Sequence, residues 1–364
     1  MAFTRLRSFG FRNLADATVK VNAPEVFFVG ENGQGKSNFL EALHYLCYGS
    51  SFRTRKPEHL LRTGDKVFRL VAGVSEPNQL IDELSITFED KKRQICFDGK
   101  VVQDRKDLLE RFPCFVFCHG DIEFITGPPE TQRLFFDQTL SLLDHRYIDL
   151  LRNYRQILRS RNACIKDGRH ELLSVYDEQL IEYGRQLTKK RHEVVSEFNE
   201  SLSAVFERTA RINAEVNIRY LPSWKEGQEA ATLNRLRERD LAFLTTTSGP
   251  HRDRYRFLKD GREFTDTAST GQLRLLSLVL RTAQVNYFWS KTHRPPILLL
   301  DDVLLELDHT RRERFLNDLP PYDQAFFTFL PQEPYASYRK ADTLVYEVKN
   351  GSFTLHDDDE GQHV

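Results

Sequence analysis

Gly30-Glu31-Asn32-Gly33-Gln34-Gly35-Lys36-Ser37 fits the phosphate-loop pattern GxxxxGK[ST]. Its flanks supply the context that the pattern needs. The apolar run Val26-Phe27-Phe28-Val29 predicts a buried strand entering the loop, and Asn38-Phe39-Leu40-Glu41-Ala42-Leu43 begins a helix leaving it. Strand, loop and helix in that order let glycine-rich backbone turn its N–H groups towards phosphate at a helix N-terminus, where the dipole also favours an anion. Lys36 then reaches the β- and γ-phosphates, and the Ser37 hydroxyl ligates Mg²⁺. A glycine-rich turn with a chance Lys-Ser has no need of those flanks. The stretch predicts a nucleoside triphosphate site with Mg²⁺.

Composition bounds the remainder. A chain of 364 residues can hold two or three lobes with sizeable cores. Lys and Arg number 52 against 53 Asp and Glu, for a net charge of −1, so any polyanion site must be a local patch. No apolar run reaches about 18 residues, which argues against a membrane helix and a membrane partner. The opening Met1-Ala2-Phe3-Thr4-Arg5-Leu6-Arg7 lacks the apolar centre of a signal peptide. The five cysteines are irregularly spaced, as in a reduced, cytoplasmic protein. Cys114, Cys118 and His119 suggest zinc at first sight, but Phe115-Val116-Phe117 between the cysteines reads better as a buried strand.

The first hundred residues read as β-rich, with strands near 19–21, 26–29, 68–74, 84–88 and 94–97 around the phosphate-loop helix. From 143 to 210 the period changes. Tyr147, Leu151, Tyr154, Leu158 and Ile165 follow helical spacing, as do Leu173, Tyr176, Leu180, Tyr183 and Leu187, with Lys166-Asp167-Gly168-Arg169 as the turn of an αα-hairpin. Val194, Phe198, Leu202 and Val205 resume the second stripe, but Lys189-Lys190-Arg191 interrupts it. Residues 211–268 are mixed, and the terminal Asp357-Asp358-Asp359-Glu360 reads as a solvated acidic tail.

Two further motifs complete a nucleotide machine. Leu298-Leu299-Leu300-Asp301-Asp302 reads as a buried strand with acids at its end, Asp301 serving the Mg²⁺ shell and Asp302 orienting or deprotonating the attacking water. Glu306 and Asp308 add carboxylates there, and Asp308 equally suits the N-cap of a helix beginning near His309. Ser269-Thr270-Gly271-Gln272-Leu273-Arg274 opens a helix carrying Leu275, Leu276, Leu278, Val279 and Leu280. Ser269, Gly271 and Gln272 thus sit at a positive helix end, a second anion site. One helix before the triple-Leu strand, this is the pattern of an ATP-binding-cassette signature.

Together these motifs resemble the RecF family of bacterial recombination-mediator ATPases, whose cassette-type heads are similar to those of SMC proteins. Phe11-Arg12-Asn13-Leu14, Gly49-Ser50-Ser51-Phe52-Arg53-Thr54, Arg161-Asn162, Gly249-Pro250-His251-Arg252-Asp253 and the segment 298–308 match stretches typical of that family. Arg254 departs from a usual second Asp, a commonly paired Arg near Gln132-Arg133 is missing, and 115–137 is only loosely similar. The resemblance implies that each ATP lies between the phosphate loop of one chain and Ser269 and Gly271 of another, which makes ATP a switch for a homodimer. It places the post-strand switch position at Thr328, next to the catalytic Asp302. It further implies weak, DNA-dependent ATP hydrolysis and ATP-dependent, sequence-independent binding to duplex DNA and single-strand gaps. RecR and RecO would be partners in loading RecA during DNA repair and the SOS response.

The residues themselves say less about DNA. Basic clusters occur at Arg53, Arg55 and Lys56, at Arg152, Arg155, Arg159 and Arg161, and at Lys189, Lys190 and Arg191, and each also suits a solvated face. No base-reading motif is visible, so interaction with backbone and shape is expected. Two other classes fit less well. A transporter ATPase subunit places its signature nearer the phosphate loop, and a small-molecule P-loop kinase has no use for the Ser269 motif. The expected fold is α/β: a P-loop ABC-type ATPase head with a mixed sheet over 1–118 and 290–364, and a largely helical second lobe over 119–289 bearing the hairpin and signature.

Overall fold

The computed structural model describes residues 1–75 and 82–356, with the Glu306 side chain excepted; the acidic run Asp357-Asp358-Asp359-Glu360 lies outside the described residues. The chain forms two compact units, Met1–His119 with His293–Val364, and Gly120–Thr292.

The first unit is built round the strand Glu25–Val29, all five residues of which are buried. A continuous apolar run of this kind belongs in a parallel sheet covered on both faces. Thr343–Lys349 and Gln324–Phe329 flank it in parallel, Ile297–Asp301 and Cys114–Cys118 follow, and Ser352–Leu355 closes the other edge antiparallel. Parallel pairing aligns the carboxyl ends of these strands, where open α/β sheets bind their ligands. A second, antiparallel sheet runs in the order Thr18–Lys20, Ala2–Phe9, Val67–Ser75, Asp82–Glu89, Lys92–Phe97, Lys100–Val101. The helix Lys36–Tyr48 joins the two sheets in one core. Phe39, Leu40, Leu43 and Leu46 pack with Phe28, Leu299 and Phe326 of the parallel sheet and with Phe3, Phe68, Leu84 and Ile86 of the antiparallel one.

The five strands expected near the N-terminus are present, shifted or lengthened by a residue or two. Ala2–Phe9, Thr343–Lys349 and Ser352–Leu355 were not foreseen. Asp308 takes its helix-capping role, its Oδ1 accepting from Arg311 N at 2.9 Å.

The second unit is largely helical, with Pro129–Leu143, His145–Lys166, Leu173–Ala210 and Thr270–Thr292 beside a small sheet of Val216–Leu221, Arg254–Lys259 and Arg262–Glu263. The αα-hairpin turns at Asp167-Gly168, where Gly168 has φ +69°. Its 38-residue second helix spans about 57 Å. The buried stripe of that helix differs from the expected one. Leu173, Leu180, Leu187 and Val194 alternate with Asp177, Gly184 and Arg191, while Tyr176 and Tyr183 stand half-buried at its margin. Gly184 is needed because Trp224 lies across it: a Cβ there would meet Cζ3 at 2.5 Å.

Two arginines expected in basic surface patches are instead buried. Arg191 donates to both carboxylate oxygens of Asp137, to Asp253 Oδ2 at 2.9 Å and to the Pro250 carbonyl at 2.7 Å. Arg161, fully buried, pairs with Asp177 at 2.6 Å and Asp240 at 2.7 Å and also donates to Thr246 Oγ1. The break in the stripe at 189–191 is therefore a caged cation, since a buried charge persists only with partners of this quality. Gly249-Pro250-His251-Arg252-Asp253 serves the same frame. Asp253 also accepts from Ser223 N at 2.8 Å, and His251 Nε2–H donates to the Thr246 carbonyl at 3.0 Å, which leaves Nδ1 to accept from Tyr154 Oη at 2.7 Å. No described helix is long and apolar enough to cross a membrane.

The caged arginine and the buried imidazole can each be tested. Arg191→Ala leaves two buried carboxylates without their cation and should cost about 3–5 kcal/mol in denaturant unfolding, whereas Lys189→Ala and Lys190→Ala, both exposed, should stay within about 0.5 kcal/mol. Equal effects would mean that the cage carries no stability. Burial pushes the His251 imidazole down from its ordinary 6.5 to about 4, helped by Arg252 and Arg133 and opposed by the Thr246 hydrogen bond. The unfolded chain then takes up a proton near pH 6.5 that the folded chain refuses until about pH 4. Stability present above pH 6.5 should fall by about 3 kcal/mol as pH drops to 4. The difference in pH slope between wild type and His251→Gln checks this, and identical slopes would refute it.

Candidate nucleotide site

The site begins at the carboxyl end of Glu25–Val29. Gly33 and Gly35 adopt φ +79° and +116°, left-handed conformations that a side chain resists, and so wind the loop tightly into the helix. No side chain caps that helix and its first turn holds no acid, so its positive end is left to an anion. Lys36 is buried, with Nζ donating to the Gly30 carbonyl at 2.6 Å and the Glu31 carbonyl at 3.1 Å. Its ammonium is thereby held within the loop that the sequence pattern marks.

Ser37 Oγ donates to Asp301 Oδ1 at 2.7 Å, joining the loop to the strand Ile297–Asp301. Burial pushes the Asp301 carboxyl up to about 6; the Ser37 hydroxyl opposes this, the neighbouring Asp302 charge adds to it, and Arg53 and Thr328 oppose it. Asp302 holds a left-handed φ of +55°, uncommon for a residue with a side chain. Thr328 keeps it there: the Asp302 N–H donates to Thr328 Oγ1 at 2.8 Å, and that hydroxyl donates to Asp302 Oδ1 at 2.8 Å. Thr328 is buried inside the strand Gln324–Phe329, not beyond its end, and holds Asp302 from there.

The structure thus gathers Lys36, Ser37, Asp301, Asp302 and Thr328 in one unit. Ser269, Gly271 and Gln272 belong to the other, at the start of Thr270–Thr292. There Ser269 Oγ accepts from Gln272 N and Gln272 Oε1 accepts from Ser269 N, both at 3.3 Å, a reciprocal capping box. A Cβ on Gly271 would have no neighbour nearer than Ser269 Oγ at 3.9 Å. Among the described residues, packing gives no reason for glycine at this exposed helical position.

Four supporting groups were not singled out as site residues. Asn13 Nδ2 donates to the Gly33 carbonyl at 3.1 Å while its Oδ1 accepts from Asn38 at 2.7 Å, bracing the loop. Behind it, Gly351 N donates to the Gln34 carbonyl at 2.8 Å, and Asn350 N to Gln34 Oε1 at 2.7 Å. A Cβ on Gly351 would fall 1.9 Å from the Asn13 carbonyl oxygen. Buried Glu41 accepts Arg12 through two bonds of 3.0 Å and also binds Ser51 and Arg53. This accounts for Phe11-Arg12-Asn13-Leu14 and Gly49–Thr54 as braces of the phosphate-loop helix. Glu333, its carboxyl raised by burial, pairs with Arg312 at 3.3 Å and also feels the charges of Asp302 and Lys36. Only its place just after the Thr328 strand hinted at this. Of the basic clusters, Arg55, Lys56, Arg152, Arg155, Arg159, Lys189 and Lys190 are exposed, while Arg53 also donates to Asn38 at 2.6 Å.

Comparison with known proteins gives the family and the fold. A family model described as the RecF/RecN/SMC N terminal domain matches residues 2–350. The DNA replication and repair protein RecF of Treponema pallidum is 40% identical over 95% of this chain and 99% of its own length. That of Leptospira interrogans is 34% identical over 90% and 91%. A solved structure of the recombination mediator protein RecF with ATP, in the RecFOR pathway, superposes with a TM-score of 0.87 at 26% identity, covering 98% of this chain and 97% of that one. An SMC head bound to the C-winged helix domain of ScpA shares the fold, with a TM-score of 0.57 at 13% identity over 97% and 96%. The fold is that of a P-loop ABC-type ATPase head with a largely helical second lobe, and the chain belongs to the RecF family.

Proposed function

We propose that this protein is an ATP-dependent DNA-binding protein of DNA replication and recombinational repair, acting in the cytoplasm. In this reading ATP draws two copies together on gapped DNA, where with RecR and RecO they help load RecA. Hydrolysis is slow and DNA-dependent, and ATP serves mainly as the dimerisation switch. The observation that carries the reading is the convergence of Lys36, Ser37, Asp301 and Asp302 at one sheet edge, in a chain so similar to RecF proteins.

Lys36 and the glycine-loop N–H groups bind the β- and γ-phosphates, and Gly30 to Ser37 form the cradle. Ser37 and Asp301 face each other as hard oxygen donors, a pair that suits Mg²⁺, and a buried carboxyl of raised pKa gains most from a cation. When bound, Mg²⁺ neutralises charge on the phosphate oxygens. Asp302, pinned by Thr328, orients water for attack. Ser269, Gly271 and Gln272 fit the γ-phosphate side of a partner chain's nucleotide, and the open space at Gly271 suits a close approach from outside. Exposed basic side chains would meet phosphate backbone, so DNA binding should weaken with salt and ignore sequence.

Lys36→Ala should abolish tight ATP binding, whereas Asp302→Asn should retain it and slow turnover by at least about tenfold. Nucleotide-binding titrations and single-turnover hydrolysis measure these. Unchanged affinity in the first or unchanged turnover in the second would remove those roles.

A shared site makes a sharper forecast. Lys36→Ala and Ser269→Arg should each be nearly inactive alone, yet mixing them should restore activity. In the heterodimer the phosphate loop of one and the signature of the other make one whole site. ATPase activity across a mixing series, after subunit exchange, should peak near equal proportions. A flat baseline would mean that each site is built within one chain.

A further inference from the structure

The antiparallel sheet of the first unit has one face on the core and one face to solvent, and the solvent face is electrostatically lopsided. Along Ala2–Phe9 the inward residues include Leu6 and Ser8, while Arg5, Arg7 and Phe9 point out. Thr18 and Lys20 point out from the edge strand, and Arg69 from Val67–Ser75. The registers bring these together: Arg5 stands directly opposite Lys20, Arg7 opposite Thr18, and Phe9 opposite Arg69. Directly opposed residues share a face at close range, and like charges so placed repel. Arg5, Arg7, Lys20 and Arg69 make no ion pair among the described residues. Of the carboxylates at the margin of this face, Asp16 beyond the edge strand bonds Gly10 N and pairs with Arg62, while Glu83 and Glu89 lie on the next strand, opposite Gly73 and Val67.

Four unpaired cations on three adjacent strands are therefore held against their own repulsion in a chain whose net charge is −1. Phe9, 47% exposed, and the Thr18 hydroxyl lie among them. A flat, hydroxyl-bearing array of cations around an exposed ring suits an extended polyanion that also offers planar bases, and no feature of it selects a sequence.

We propose that this outer face, with Arg5, Arg7, Lys20 and Arg69, is a docking surface for the phosphate backbone of nucleic acid. It rests on the DNA-binding reading above and names a surface for it outside the clusters legible in the sequence. None of the four residues belongs to the nucleotide site. The repulsion gives the proposal a signature that a merely structural role lacks. Removing a cation should stabilise the free protein while weakening its hold on DNA.

The test uses the full chain with ATP and Mg²⁺, gapped and duplex DNA of arbitrary sequence, and a salt series. Arg5→Gln/Arg7→Gln/Lys20→Gln/Arg69→Gln should bind at least about tenfold more weakly at 0.1 M salt. Its slope of log affinity against log salt should be shallower by about 0.9 for each duplex phosphate that the variant no longer neutralises. Hydrolysis without DNA should be unchanged. Arg5→Gln alone should raise the melting temperature of the free protein and lower DNA affinity. A charge-matched control, Lys225→Gln/Arg235→Gln/Lys259→Gln/Arg262→Gln, should bind nearly as wild type does. Equal weakening in the control, an unchanged slope in the quadruple variant, or a lower melting temperature for Arg5→Gln each overturns the proposal. A wild-type chain that binds no DNA with ATP overturns both this surface and the reading on which it rests. Full displacement of DNA by an equal charge concentration of poly-glutamate would assign the face to acidic protein instead.

Discussion

The hydrogen bond from Ser37 to Asp301 is the interaction on which the site turns. It joins the start of one helix to the end of a strand from the far part of the chain, at 2.7 Å. It forms only because Glu25–Val29 and Ile297–Asp301 run parallel, with Gln324–Phe329 between them, so that their carboxyl ends lie at one edge. The same arrangement sets Thr328 beside Asp302. Register in the sheet, and not the motifs alone, makes a phosphate loop and an acidic pair into one device.

That device is costly to assemble. Asp301 is buried enough to titrate near 6, Asp302 occupies a left-handed backbone conformation, and Lys36 is buried. Each is unfavourable in isolation. Their supports come from several strands and turns: Asn13 and Gly351 brace the loop, Glu41 gathers Arg12 and Arg53 against the helix, and Thr328 pins Asp302. Strained and desolvated groups held by a dense polar frame are what preorganised phosphate chemistry requires.

The second unit shows the opposite use of charge. Arg161 and Arg191 are enclosed by Asp137, Asp177, Asp240 and Asp253, and serve to fix helices against loops. On the outer sheet of the first unit, Arg5 and Lys20 stand opposite each other and make no ion pair among the described residues. Residue type alone does not tell these apart. A buried cation persists only with such partners, whereas like charges set directly opposite each other on an exposed face repel.

The sequence by itself determined the local matters. The phosphate loop, the Asp301 strand and the helix after Ser269 were legible because glycine placement, apolar runs and caps are short-range constraints. The hairpin was legible because helical period persists over many residues. Other features rested on partners distant in sequence. Arg191 read as surface because its cage comes from Asp137 and Asp253, and Arg161 for the same reason with Asp177 and Asp240. Ala2–Phe9 was missed although its residues alternate, because only pairing with Val67–Ser75 gives that alternation an inside and an outside. Gly351 became meaningful only when the Asn13 carbonyl was found against it. Local periodicity and turn chemistry are written along the chain, whereas burial and charge pairing depend on which distant strands become neighbours.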